Sequence, residues 1–178
     1  MNSARPLIEE HVYILKVIDA LKREAKALDQ RQNISLGQID ETLTLLSEFA
    51  DKCHHAKEER VLFVQLGKRD AYKPFVRQFL DEHMKGRAHV RAMRDAERNL
   101  ARSRDEFIQH ANAYARLLTA HIQAENAIFS KVDEILPENV NEWVAREFEQ
   151  IEEQEIGEER HAEYEKRADK LYAAAKKL

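Results

Sequence analysis

The sequence predicts an all-α protein, an up-down-up-down four-helix bundle with one or two extra helices at its C-terminal end. Only 4 Gly and 3 Pro interrupt 178 residues, so the chain has few places at which a helix must break. Ala, Leu, Glu, Lys and Arg abound and 35% of residues are charged, the composition of long helices with wet outer faces. Apolar residues recur at three- and four-residue steps and nowhere show the alternation that a strand requires. The length suits one domain with a sizeable core.

The first helix is expected to begin after Ser3, with Pro6 in its first turn. Leu7, Ile8, Ile14, Leu15, Ile18, Leu21, Ala25 and Leu28 trace its apolar stripe, and His11 falls inside that stripe. The polar residues 30–33 end it. Ser35 and Gly37 open a second helix, in which Ile39, Leu43, Leu46, Phe49 and Ala50 lead into CHHAKEERVLF (53–63) and Leu66. Residues 67–74 form a turn and restart. A third helix carries Val76, Phe79, His83, Gly86, Val90, Met93 and Leu100 on one face. SRDE at 103–106 has the spacing of a capping box and is expected to start the fourth. Phe107, Ala111, Tyr114, Leu118, His121, Glu125, Ile128, Phe129 and Val132 follow, and Pro137 stops the run. Val140, Trp143, Val144, Phe148 and Ile151 then precede Gly157, and His161, Tyr164, Ala168 and Leu171 share a face of the last helix. The expected division is a bundle over 1–136 and a helical extension packed on it over 137–178.

The formal net charge of −4 comes from 29 basic and 33 acidic residues, interspersed rather than blocked. That pattern lacks the basic footprint of a nucleic-acid binder. The single Cys excludes an internal disulfide and suits a reducing compartment. Glu9, Glu10, His11, Lys16 and Asp19 interrupt the apolar residues that a signal peptide would need. No run approaches the ~20 apolar residues of a membrane helix. The expectation is a cytoplasmic protein with neither a nucleic-acid nor a membrane partner. Glycine-rich phosphate loops, a nucleophile elbow and Cys/His zinc spacings are absent from the sequence.

Two segments repeat one another. His55–Glu59–Leu62–Phe63 on the second helix matches His121–Glu125–Ile128–Phe129 on the fourth. Residues four apart stand side by side on a helix, so an imidazole and a carboxylate at that spacing can reach one point, as a first-row metal bound by N and O donors requires. His11 and His83 lie in the apolar stripes of the other two helices, so each helix contributes an inward donor. Four His and two Glu facing a bundle interior describe a two-metal site. A lone His on an apolar face is more often a hydrogen-bonded core residue, and an isolated His/Glu pair is commonly a surface contact. Two buried carboxylates facing four imidazoles are harder to explain without cations, since an unpaired buried charge is very costly. The register inside CHHAKEE stays open. The stripe upstream points to His54 and Glu58, the stripe downstream to His55 and Glu59, and the match with the fourth helix favours the second pair.

His11 in EEH, HHAKEERVLF, EH at 82–83 and HIQAENAIF, taken together, resemble the haemerythrin-like proteins of the HHE cation-binding class over residues 1–136. The resemblance implies a four-helix bundle holding a non-haem di-iron centre. His11, His55, His83 and His121 would be terminal ligands, and Glu59 and Glu125 would bridge the two irons. It also implies a range of roles: binding or responding to O2, reactive oxygen species, nitric oxide or iron. A peroxide-consuming oxidoreductase, or iron storage or donation for cluster repair, are the alternatives, and whether the chain is an enzyme is left open. The chain departs from the family's oxygen carriers at one place. Those have two histidines one turn apart on the third helix, whereas His83 is followed four residues later by Arg87, which cannot ligate. His161, preceded by Glu158 in an E-x-x-H spacing, is the candidate replacement donor, set against an equally simple role packed on the outside of the bundle.

Overall fold

A computed structural model describes residues 2–178, leaving the side chain of Glu158 outside the described set. Helix α1 spans Arg5–Asp29, with Pro6 in its first turn. Helix α2 runs over 36–66; its ends, Leu36–Leu45 and Phe63–Leu66, are α-helical, while Leu46–His55 and Glu58–Leu62 are π-helical. Then come α3 (Lys73–Glu97), α4 (Leu100–Phe129), the single turn α5 (Val132–Ile135), α6 (Glu138–Glu155) and α7 (Glu158–Ala175). No strand occurs among the described residues. The bundle is therefore α1–α4, with α6 and α7 as the extra helices.

Three local details differ from the sequence reading. Ser3 does not cap α1, whose N-cap is Ala4; instead the buried Ser3 hydroxyl lies 2.6 Å from Asn141 Oδ1 and ties the chain's start to α6. Leu100 belongs to α4 rather than to the third helix, because Asn99 leaves helical geometry at φ −143°, ψ 57°. The start expected at Ser103 survives as a kink inside α4, with φ −107° and ψ 21°. Gly157 supplies the sharp turn between α6 and α7 at φ 78°, a backbone region that side chains with a Cβ rarely adopt.

Helix α3 packs on α4, α4 on α1, and α1 also carries α7; the π-helical part of α2 faces α6. The core divides into two apolar clusters. One gathers Ile14 to Leu28 of α1, the first half of α2, Met93, Phe107 to Ile122 and the inner face of α7. The other gathers Leu7, Val61 to Leu66, Phe79, Phe129 and the inner face of α6. Between them lies a slab of buried polar groups, with His11 following Leu7 and preceding Ile14, and Glu125 lying between Ile122 and Phe129. At close to 25 cal/mol per Å² of apolar surface removed from water, the two clusters supply the drive that keeps this slab dry.

Candidate metal centre

The widened turns of α2 decide which of its polar side chains point inward. A π turn closes its ring from i to i+5 and so carries one residue more than an α turn, which shifts the inward face along the chain. The stripes upstream and downstream, offset by one residue in an ideal helix, can then both face the core. His54, His55 and Glu58 are buried in consequence, while the Glu59 side chain is 26% exposed.

Two buried groups of donors result: His11, His54, Glu58 and Glu125 in one, and His55, Glu58, His83 and His121 in the other. Glu58 is common to both. Its Oε1 lies 3.1 Å from His54 Nε2, and its Oε2 lies 3.4 Å from His83 Nε2. Glu125 is arranged likewise, with Oε2 3.4 Å from His11 Nε2 and Oε1 3.0 Å from His121 Nε2. Each carboxylate thus turns one oxygen to each side. Both side chains are 0% exposed, and none of their four oxygens receives a well-formed hydrogen bond.

The imidazoles face this pair in an ordered way. His54 Nε2 stands 3.0 Å from His11 Nε2, and His83 Nε2 stands 2.9 Å from His121 Nε2. Two ring nitrogens so close can offer both lone pairs to one cation once their protons are displaced. Every Nδ1 meets an oxygen: Asn126 for His11 at 2.8 Å, Glu10 for His54 at 2.7 Å, Asp51 for His55 at 3.2 Å, Glu59 for His83 at 2.8 Å and Glu82 for His121 at 2.7 Å. Bonds of this kind fix the tautomer and reserve Nε2 for a metal.

Four of these orienting groups form a closed ring around the bundle. Glu10, beside His11 on α1, serves His54 on α2; Glu59, beside Glu58 on α2, serves His83 on α3. Glu82, beside His83 on α3, serves His121 on α4; Asn126, beside Glu125 on α4, serves His11 on α1. On each helix an inward donor has, directly beside it in sequence, the residue that steadies a ring on a neighbouring helix. The adjacency in EH at 10–11, EE at 58–59, EH at 82–83 and EN at 125–126 was the available signal, although its meaning requires knowing which helices touch.

The electrostatics follow from burial and these contacts. Burial disfavours a charged imidazole, yet Glu58 and Glu10 outweigh it and push His54 up to about 10. His121 is raised to about 9 against the same burial, chiefly by Glu125. His55, buried and next to His83 and His54, is held well below the ordinary histidine range, with Asp51 opposing only in part. Glu125 resists the upward push of burial and lies well below the usual carboxylate range, because His11 and His121 face it. Without a metal, protons on imidazoles therefore supply the positive charge that the carboxylates need.

Of the residues expected from sequence, His11, His55, His83, His121 and Glu125 come together here, joined by His54 and Glu58. Glu59 and His161 stand outside both groups. Glu59 accepts from His83 Nδ1 and from Arg87 at 2.6 Å. His161 reaches Glu10 Oε1 at 3.1 Å, one residue removed from His54, and Glu158 beside it falls outside the described side chains. A third donor group, Cys53, Glu152 and His161, has a different character. The buried Lys57 ammonium bonds Glu10 and also Glu152 at 2.8 Å, so a fixed cation already balances the carboxylates there.

Residues 3–132 match the family described as the Hemerythrin HHE cation binding domain. The chain belongs to that family. No curated protein and no solved structure matches it. Membership in this HHE family makes it a metal-binding protein, and the donor set fits: closely spaced imidazole nitrogens, and buried carboxylate oxygens without a well-formed hydrogen bond. Among the described residues no helix is long and apolar enough to cross a membrane.

Proposed function

We propose that the chain holds two iron ions side by side between Glu58 and Glu125, and uses them to bind or respond to O2 or a comparable small oxidant or diatomic ligand. His11 and His54 would complete one ion's set; His55, His83 and His121 would complete the other's. This reading takes Glu58 as the bridging carboxylate of α2 in place of Glu59, and His55 as the donor that makes good the histidine absent at Arg87, in place of His161.

The observation that carries it is the pair of fully buried carboxylates whose four oxygens lack hydrogen bonds inside a cage of tautomer-fixed imidazoles. Two ionised carboxylates in a dry interior need compensating positive charge; protonated imidazoles supply it in the metal-free protein, and two cations would supply it in their place. Nitrogen and carboxylate donors suit iron among the first-row metals. Two ferrous ions would each supply one electron to a bound small molecule. By donor count, the His11/His54 side has fewer nitrogens and is the side on which such a molecule has room. The protein contributes shielding as well. Phe129 stacks on His11 at 6.0 Å, Phe63 on His83 at 5.7 Å, and Phe79 meets His121 edge-on at 5.2 Å, so apolar faces back the rings and exclude water.

Iron content and visible absorption test this together. Protein loaded anaerobically with ferrous iron is expected to hold two irons per chain, to colour on exposure to air and to bleach on reduction. Substoichiometric, colourless protein after the same loading would overturn the proposal. Sustained consumption of added peroxide would shift it to the oxidoreductase reading.

A further inference from the structure

Arg87 occupies the third-helix position at which a second histidine is found in oxygen-carrying relatives, and its contacts give it a different task. Its guanidinium divides between two carboxylates of α2: Nε bonds Asp51 at 2.7 Å, and Nη2 bonds Glu59 at 2.6 Å. Asp51 accepts from His55 Nδ1, and Glu59 accepts from His83 Nδ1. The two rings so oriented are stacked, with centroids 3.7 Å apart. We infer that Arg87 is a positioning residue which, through Asp51 and Glu59, aims His55 and His83 at one of the two metal positions and leaves the other untouched. The inference rests on the two-ion reading above.

The geometry requires a guanidinium in particular. Its fork offers donors in two directions, so one residue on α3 can hold two carboxylates that are two turns apart on α2. The His11 and His54 rings are oriented by Asn126 and Glu10, neither of which Arg87 touches. A cavity of about 130 Å³ lies against this clamp, lined in part by Asp51, His55, Gly86, Arg87 and Tyr114. Water entering it would compete for both carboxylates once the guanidinium was gone. His55 would suffer most, because its bond to Asp51, at 3.2 Å, is the longest of the five orienting contacts.

The test is calorimetric and optical titration of metal-free protein with cobalt(II) under anaerobic conditions. Wild-type protein is expected to take up two ions. Arg87→Gln should keep one at wild-type affinity and bind the other roughly 10- to 100-fold more weakly, the loss that removal of an orienting partner produces. Glu59→Gln and Asp51→Asn should weaken that same ion, and Arg91→Gln, on the same cavity wall, should weaken neither. His55→Ala combined with Arg87→Gln should be little worse than His55→Ala alone, whereas His54→Ala combined with Arg87→Gln should lose one ion and hold the other roughly 10- to 100-fold more weakly. Equal weakening of both ions by Arg87→Gln would reduce Arg87 to general support of the bundle and overturn the inference, as would unchanged binding. Fewer than two ions on the wild-type chain would instead defeat the two-ion reading, and the inference with it.

Discussion

His54 and His55 are adjacent in the chain, with ring centroids 5.8 Å apart, yet they belong to different donor groups, one with His11 and Glu125, the other with His83 and His121. In a regular α-helix, consecutive residues point about 100° apart and could not both face a bundle axis squarely. The π turns of α2 make it possible. Exchanging either ring for alanine should therefore remove one ion and spare its neighbour. His54→Ala and His55→Ala are each expected to retain about one metal per chain, with distinguishable cobalt(II) spectra.

Glu58 and Glu59 should behave very differently. Glu58 is shared by both groups and fully buried, so Glu58→Gln is expected to lower content below one ion per chain and to lower the melting temperature of iron-loaded protein, because metal binding is coupled to folding. Glu59→Gln removes only the bond that orients His83 and should keep two ions, the one held by His83 at reduced affinity. Metal analysis after dialysis against a weak chelator separates the two.

Metal uptake should release protons. His54 and His121, raised to about 10 and about 9, carry protons at pH 7 in the metal-free protein and must lose them to ligate. Affinity is accordingly expected to rise with pH from 6 to 8. Calorimetry in buffers of different ionisation enthalpy should report release of about two protons per chain at pH 7.

The helices, and much of the centre, were legible in the sequence because periodicity is a strong signal. His11, His83, His121 and Glu125 each sit inside an apolar stripe, and the structure brings them together. Glu58 was obscured because extrapolating an ideal helix from either side of CHHAKEE gives conflicting registers. The π turns accommodate both, and no propensity rule announces them. Glu10 reads as one more charge beside Glu9, whereas in the fold it is buried beneath His54, Lys57 and His161. Contacts between helices decided its role, and these cannot be read from one helix at a time.

A group outside the centre contributes its own dependence of stability on pH. Glu24 is buried; its Oε1 accepts from Thr42 and Gln38, while its Oε2 lacks a partner. Burial outweighs those two bonds and raises its pKa from 4.5 to about 7. The folded state then binds more protons than the unfolded one between those values, so this residue's contribution to stability falls as pH rises from about 4.5 to about 7. The full penalty above that window is on the order of 3 kcal/mol. Glu24→Gln should flatten this part of the pH profile in urea unfolding of metal-free protein.

A core substitution away from the centre provides the complementary case. Phe107 is fully buried and lies about 21 Å before His121 along α4 at helical rise. Phe107→Ala is expected to cost about 3–5 kcal/mol in denaturant unfolding while leaving metal content and the oxidised spectrum unchanged.

Anomalous diffraction at the iron edge from crystals of iron-loaded protein tests the two-ion centre most directly. Two peaks are expected between Glu58 and Glu125, about 3.5–4 Å apart as in other two-metal sites, one against His11 and His54 and the other against His55, His83 and His121. A single peak, or a peak at Cys53, Glu152 and His161, would contradict it.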